Sequence, residues 1–460
     1  MIRGQTGSAW TMEGLGLESS LRIRNFYWAG DAFRPSLQLE PGPAGVLPLK
    51  LLRGQFALAE VADNRVTLVR DPLGINKLFF AVHHSGRVSI ANYLIDLVRR
   101  GVPCEVIYSV PAGHRVEIDL HRRTFASSRY FTAQTGDARG DCSLDKEAAA
   151  IRGHLEAWFA RLANQFHSRR ILLCLSGGQD SGLIAALATR HFRDLTAYTY
   201  CFSQNGDEVS EDATSARRLA RDLNIPVRLV TASRRDVLDA VHDALVYGQD
   251  WRDFNVHCAI VNELLGRAMA DDLARAGDDT PALVLTGDLM NEFVADYSPV
   301  VYRGREYYSL PKVDQGALRR ALIRGLNAGD REVGVFGRHG LDIIQPYGLL
   351  ADVLLELPIR LVSHEDSKQN LARAIAGDLL PDWIFARTKV RAQIGTSRDI
   401  TGILPVLLES GCDADWLRLT FRQAFGIDND AFLSTFIHGG VYRSLSMFPT
   451  RVGTDGFLAH

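Results

Sequence analysis

The sequence predicts a two-domain α/β protein: a β-rich first part, then an open parallel sheet with a helical C-terminal part. Three observations carry this. Residues 171–186, ILLCLSGGQDSGLIAA, read as a buried strand, a Gly turn and the start of a helix. After them, strand and helix patterns alternate, as in a doubly wound sheet. Before them, residues 1–135 alternate short apolar runs with turn signals. The small, polar stretch 132–142, TAQTGDARGDC, has the composition of a linker, giving domains at 1–135 and 143–460.

In the first domain the runs Leu21–Trp28, Gly54–Val61, Arg65–Arg70, Leu78–His83, Arg87–Ala91 and His114–Leu120 read as strands. Tyr93–Arg99 reads as a short helix. The second domain opens with an amphipathic helix over Ser143–Asn164, Ser143 being its N-cap. Strands follow at Ile171–Leu175, Leu195–Phe202, Pro226–Val230 and Ala282–Leu285. Helices are expected at Ser210–Leu223, Arg235–Val246, Ala259–Asp271, Leu349–Leu357 and Lys368–Ile375. In such a sheet the C-terminal ends of the strands form the ligand crevice.

A chain of 460 residues with 46% hydrophobic and 23% charged residues is ordinary globular material. A formal charge of −2 gives no support for a nucleic-acid surface or an anionic membrane. No segment reaches the ~18 uninterrupted apolar residues of a membrane span, and the N-terminus has no hydrophobic signal core. The six cysteines are scattered without CxxC pairs. That argues against a zinc site or a disulfide framework and fits a reducing cytoplasm.

The chemistry centres on Ser176-Gly177-Gly178-Gln179-Asp180-Ser181. Two glycines let the backbone approach a ligand, and first-turn N–H groups attract phosphate oxygens. The Ser176 and Ser181 hydroxyls are placed to add hydrogen bonds. Asp180 beside a phosphate repels it, so it implies a bridging Mg²⁺. The loop is neither a Walker A motif nor GxGxxG.

This loop resembles the SGGxDS pyrophosphate loop of the N-type ATP pyrophosphatases, which include asparagine synthetase, β-lactam synthetase and GMP synthetase. The resemblance implies an adenine nucleotide α-hydrolase-like (PP-loop) sheet. It implies ATP cleavage between the α- and β-phosphates, with adenylation of a substrate. Thr286-Gly287-Asp288-Leu289-Met290-Asn291-Glu292 aligns with that family's second acidic motif, S-G-E-G-x-D-E-L, but carries Leu289 for the second glycine and Asn291 for the middle acid. Mg²⁺ is therefore expected on Asp180 with Asp288 or Glu292, and Asp288 and Glu292 beside the acyl substrate. Gln345-Pro346-Tyr347 resembles the family's "R-x-P-F/Y-L-D" strip, with Ile344 at the arginine position. Lys389 falls where the family has a lysine that stabilises charge on the α-phosphate. The tyrosine-rich 296–310 is expected either to line a pocket or to pack between subdomains.

The first domain resembles the glutaminase domain of asparagine synthetases, an Ntn-hydrolase-like αββα sandwich. The resemblance rests on Gly54-Gln55-Phe56-Ala57, Arg70-Asp71-Pro72-Leu73-Gly74 through Phe79, and Pro111-Ala112-Gly113. Such glutaminases use an N-terminal cysteine nucleophile. Here Met1 is followed by Ile2 and no cysteine precedes Cys104, so a degenerate scaffold is expected. Together these features imply an ATP- and Mg²⁺-dependent, amide-forming, AMP-releasing ligase of specialised metabolism. It would take small-molecule or peptide carboxylate and amine substrates, without glutamine hydrolysis, nucleic acid or membrane, and a homodimer is compatible with it. The alternatives are an ammonia-dependent asparagine synthetase-like enzyme and a non-catalytic ATP- or AMP-binding regulator.

Overall fold

The computed structural model describes residues 9–12, 17–33, 49–62, 64–83, 87–131, 142–203, 209–277, 282–294, 299–308, 328–362, 367–387, 390–394, 400–429 and 433. In the first domain, β1 (Ala9–Met12), β2 (Leu17–Ser20), β8 (Phe79–Val82), β9 (Val88–Ala91) and β10 (Ile107–Ser109) form a sheet of order β1-β2-β9-β8-β10. A second sheet, order β12-β11-β7-β6, comprises β6 (Ala57–Ala62), β7 (Arg65–Arg70), β11 (His114–Asp119) and β12 (Thr124–Arg129). A third, order β4-β3-β5, comprises β3 (Phe26–Ala29), β4 (Ala32–Phe33) and β5 (Leu52–Gln55).

Strand alternation explains why β8 is apolar throughout. Phe80 turns inward with Val88 and Ile90, meeting Phe56, Leu58, Leu68 and Val116 between the two larger sheets. Its neighbours Phe79 and Ala81 turn outward into a core shared with the second domain. The sequence reads 54–61 as one strand, but the structure breaks it at Phe56. Gly54 has φ +124°, and a Cβ there would stand 2.2 Å from the Phe26 carbonyl oxygen.

The helical layers of an αββα sandwich are not found among the described residues of this domain, whose α-helix is α1 (Leu94–Val98). Cover comes instead from α2 (Leu144–Phe166). Trp158 of α2 lies edge-on to Trp28 at 4.9 Å between centroids, and Phe166 to Phe26 at 5.7 Å. Ser143 caps α2 by accepting from the Lys146 N–H.

Residues 143–460 are built on β13 (Ile171–Cys174), β14 (Leu195–Phe202), β15 (Val227–Ala232), β16 (Leu283–Leu285) and β19 (Asp342–Ile344). All pair in parallel, in the order β15-β14-β13-β16-β19. The chain winds outward from β13 to β15, then returns to the other side of β13. The C-terminal ends of β13 and β16 therefore flank the point where the winding reverses, where such sheets hold ligands.

Around the sheet lie α3 (Gln179–His191), α4 (Glu211–Asp222), α5 (Arg234–Gly248) and α6 (Asp253–Ala276). Then come α7 (Met290–Val294), α8 (Ala328–Arg338), α9 (Ala351–Leu355), α10 (Ser367–Ala376), α11 (Ile403–Glu409) and α12 (Ala414–Phe425). A hairpin of β17 (Val300–Tyr302) and β18 (Arg305–Tyr307) precedes α8. Residues 1–135 are tied to the sheet edge by Arg24, which reaches Asp342 at 3.0 Å beside Arg169 at 2.8 Å. Among the described residues no helix is long and apolar enough to cross a membrane.

Candidate active site

The loop after β13 is compressed from two sides. Gly177 has φ +70°, and a Cβ there would stand 2.6 Å from the Ala216 nitrogen of α4. Gly287, after β16, lies so close that its Cβ would meet the Ser181 nitrogen at 2.5 Å. Both glycines are required by backbone-to-backbone approach. Gly178 is the N-cap of α3, so the N–H groups of the first turn open on the loop.

The serine hydroxyls are used differently from the expectation. Ser181 Oγ accepts from the Ser176 N–H at 3.1 Å and lies 3.0 Å from Ser176 Oγ. It also donates to the Gly178 carbonyl at 3.3 Å. The two hydroxyls brace the loop internally. Arg387 fastens it from outside, donating to the Gly177 carbonyl at 2.7 Å and pairing with Asp212 of α4.

Asp180 is 9% exposed, and its Oδ2 accepts from Lys368 Nζ of α10 at 2.7 Å. The same ammonium bonds Asn291 Oδ1 of α7. Tyr347 donates its hydroxyl to the Asp180 carbonyl at 3.1 Å. Lys368 thus joins the loops after β13 and β16 at the position where the sequence departs from the family acid.

On the other side of the cavity, Asp288 pairs with Arg331 of α8 at 3.1 Å. The Arg331 guanidinium also donates to Asn262 and Asn255 of α6 at 3.3 and 3.4 Å. Beside it, fully buried Glu332 accepts from Thr286 Oγ1 at 2.8 Å and Gln345 Nε2 at 2.9 Å. Burial first, then the adjacent, hydrogen-bonded Asp288 carboxylate, hold the Glu332 carboxyl well above the usual carboxylate range. Burial also pushes the Cys174 and Cys258 thiols up, so neither offers a ready thiolate nucleophile.

These groups face one cavity of about 180 Å³, lined by Ser176, Asp180, Ser181, Asp212, Asp288, Asn291, Arg331 and Glu332 among others. Of the residues expected from sequence, Ser176, Asp180, Ser181 and Asp288 line it. Gly177, Gly178 and Gln179 shape the same turn, whereas Glu292, buried in α7, is not among the lining residues. Lys389 lies outside the described residues. The tyrosine-rich hairpin packs rather than lines: Tyr308 bonds His257 Nδ1 at 2.6 Å and sits in a small core with Val300 and Leu404.

No group of three His, Cys, Asp or Glu side chains among the described residues is arranged to hold a metal alone. Mg²⁺ carried on a polyphosphate needs only one or two protein carboxylates. Asp180 and Asp288, converging on one cavity, fit that requirement.

Arg331 and Glu332 of the cavity wall, and Lys368 behind Asp180, were not read from the sequence. Their signal is charge on an apolar stripe. Lys368 precedes Leu371, Ala372 and Ile375 at helical spacing, and Glu332 precedes Val335 and Phe336.

Residues 161–325 match the model of the asparagine synthase family. No curated protein matches the chain. The solved structure of NMN synthetase from Francisella tularensis is similar over 62% of this chain and 94% of that one, at 14% identity and a TM-score of 0.29, a likeness too slight to bear on the site.

Proposed function

We propose that the chain is an ATP-dependent, amide-forming ligase, a reading supported by the match of residues 161–325 to the asparagine synthase family model. One observation carries it: the SGGQDS turn opens into the same cavity as Asp288, Arg331 and Glu332, from two neighbouring strand ends and α8. A substrate carboxylate oxygen attacks the α-phosphorus of ATP. The bond to the β-phosphate bridge breaks and pyrophosphate leaves into the turn at the N-terminus of α3. An amine nitrogen then attacks the acyl carbon, the bond to the AMP oxygen breaks, and the amine's proton passes to a base.

Glu332 is the group placed for that proton, a carboxyl on the cavity wall held in position by Thr286 and Gln345. Arg331 holds Asp288 and borders the acyl site. Mg²⁺ held by Asp180 and Asp288 would supply charge neutralisation for the leaving pyrophosphate. Lys389 is assigned to the α-phosphate from its sequence register.

This reading assigns no glutamine hydrolysis to residues 1–135. The one cysteine of residues 1–135, Cys104, is buried with its Sγ directed to the Phe425 carbonyl at 3.2 Å. An amide-forming step in natural-product biosynthesis, with the amine on a second substrate or the same molecule, suits this arrangement. The test is pyrophosphate release from ATP and Mg²⁺ across a panel of small-molecule and peptide acids. Release dependent on one acid class, with AMP in equal amount, supports the reading. Cleavage to ADP, or ATP binding with no release on any acid, overturns it.

A further inference from the structure

The first domain has no chemistry of its own in this reading, yet it is packed closely behind the cavity. Several of its contacts fall on α8 and β19, the elements that carry or support Arg331 and Glu332. Tyr93 donates its hydroxyl to the Gly334 carbonyl of α8 at 2.7 Å. A Cβ at Gly334 would meet Lys77 Cε at 3.0 Å, and one at Gly337 the Tyr93 hydroxyl at 2.8 Å. Gly337 therefore grooves α8 where Tyr93 enters, while Gly334 is demanded first by the Tyr247 carbonyl of α5, 2.4 Å from its Cβ position.

Gln55 reaches further. Its side chain is fully buried, with Nε2 donating to the Ile343 carbonyl at 2.6 Å and Oε1 accepting from the Gln345 N–H at 3.2 Å. One carboxamide thus gives the outer edge of β19 the donor and acceptor that a sixth strand would have supplied. Gln345, also fully buried, donates its own side-chain N–H to Glu332 Oε2. A continuous path runs from Gln55 through the Gln345 backbone and side chain to a carboxyl on the cavity wall. Burial along it leaves no room for water to replace a missing bond.

We propose that the first domain is a positioning element of the ligase site, with Gln55 holding Gln345 and Gln345 holding the Glu332 carboxyl; this rests on the ligase reading above. Gln55 fills the open position of the Gly-x-Phe-Ala motif, so a motif that resembles a glutaminase serves here to set a distant carboxyl. The first domain would be kept for geometry rather than for hydrolysis.

Gln55→Met and Gln345→Met keep side-chain length and remove the amides. In the full chain each should lower kcat roughly ten- to a hundredfold, the size expected of a misplaced group about an ångström out of register. KM for ATP should stay within about twofold, since the phosphate loop is untouched. The double variant should be no slower than Gln345→Met alone, because both changes cut one path. Losses that multiply, or an unchanged kcat in either single variant, overturn the proposal. Should Gln55→Met fail to fold, Gln55→Asn, which keeps the amide but falls a methylene short, reads the same step. Backbone amide exchange decides independently of turnover. Gln55→Met should speed exchange in 342–345 and also in 331–336 of α8. Exchange that rises in 342–345 alone sinks the relay, even if the wild type proves to be a ligase; absence of pyrophosphate release sinks the ligase reading and leaves this measurement standing.

Discussion

The loops that close β13 and β16 touch at Gly287 and Ser181, yet they keep to the family pattern in different ways. The first, SGGQDS, retains residue type and geometry together, with Gly177 in the left-handed region. The second changes the residues but keeps a left-handed backbone where the motif has glycine. Leu289 stands where the family motif has glycine, and its φ is +82°. Asn291 stands where that motif has an acid, and its amide oxygen takes a hydrogen bond from Lys368. Across the cavity the carboxyls are Asp288, from this same loop, and Glu332 of α8. Backbone shape is the stricter requirement, because it sets how closely two loops can approach; a charge can be supplied from any neighbouring element that reaches the cavity.

The largest effect should follow from breaking the conforming loop. Asp180→Asn is expected to cut pyrophosphate release by several powers of ten, since it removes the carboxylate nearest the phosphate turn. It is not a neutral change for stability. Lys368 is 6% exposed beside Asp180, and removing one member of a buried pair costs about 3–5 kcal/mol, less here because the Asn oxygen still accepts. Asp180→Asn with Lys368→Met should recover part of that stability and none of the activity. Turnover close to wild type in Asp180→Asn would take the conforming loop out of the mechanism.

Next in size is Lys389→Met, which removes an ammonium and keeps its stem. Loss of one preorganised charge contact costs ~2.7–4 kcal/mol, or roughly 10²–10³ in kcat. The apparent affinity for ATP should change little. Normal turnover would return the phosphate chemistry to Arg331, the cation on the cavity wall.

What could be read from the sequence divides along the same line. β13 with its turn and helix was legible because a contiguous apolar run, two glycines and a helical stripe each point to one conformation. α8 was not. Gly329, Gly334 and Gly337 lower its helix propensity; Gly334 is required by the Tyr247 carbonyl of α5 and Gly337 by the Tyr93 hydroxyl, long-range contacts no local pattern records. Glu332 and Arg331 were hidden with it. The serine hydroxyls were visible but their direction was not, because turning them inward depends on the 3.0 Å approach of the two side chains to each other. Glu292 was picked out by motif register, yet a five-residue helix turns it away from the cavity that its neighbour Asn291 lines.

The departing loop can be moved back toward the family pattern. Asn291→Asp places a carboxylate across Lys368 from Asp180 and raises the negative charge facing the metal. The Mg²⁺ concentration for half-maximal pyrophosphate release should fall roughly three- to tenfold, the effect of one added partly screened charge. An unchanged midpoint would place residue 291 outside the metal's reach and leave its role as a neutral anchor for Lys368.

The smallest effect tests whether shape is the stricter requirement. A non-glycine residue in the left-handed region costs roughly 1–2 kcal/mol. Leu289 bears that cost because its side chain is buried, 8% exposed, and would lie 3.0 Å from a Cβ at Gly348. Leu289→Gly relieves the backbone and loses the packing, and a buried leucine truncated to alanine loses about 2–5 kcal/mol, so the packing loss dominates and the variant is less stable than wild type. Leu289→Ala loses nearly the same packing and keeps the strain. At an ordinary position glycine is the less stable of the two by roughly 0.5–1 kcal/mol. At 289 the order should invert, with Leu289→Gly more stable than Leu289→Ala by about 1 kcal/mol in urea denaturation. If alanine proves equal or better, residue 289 does not hold the left-handed conformation, and the second loop has lost the family's shape as well as its charge.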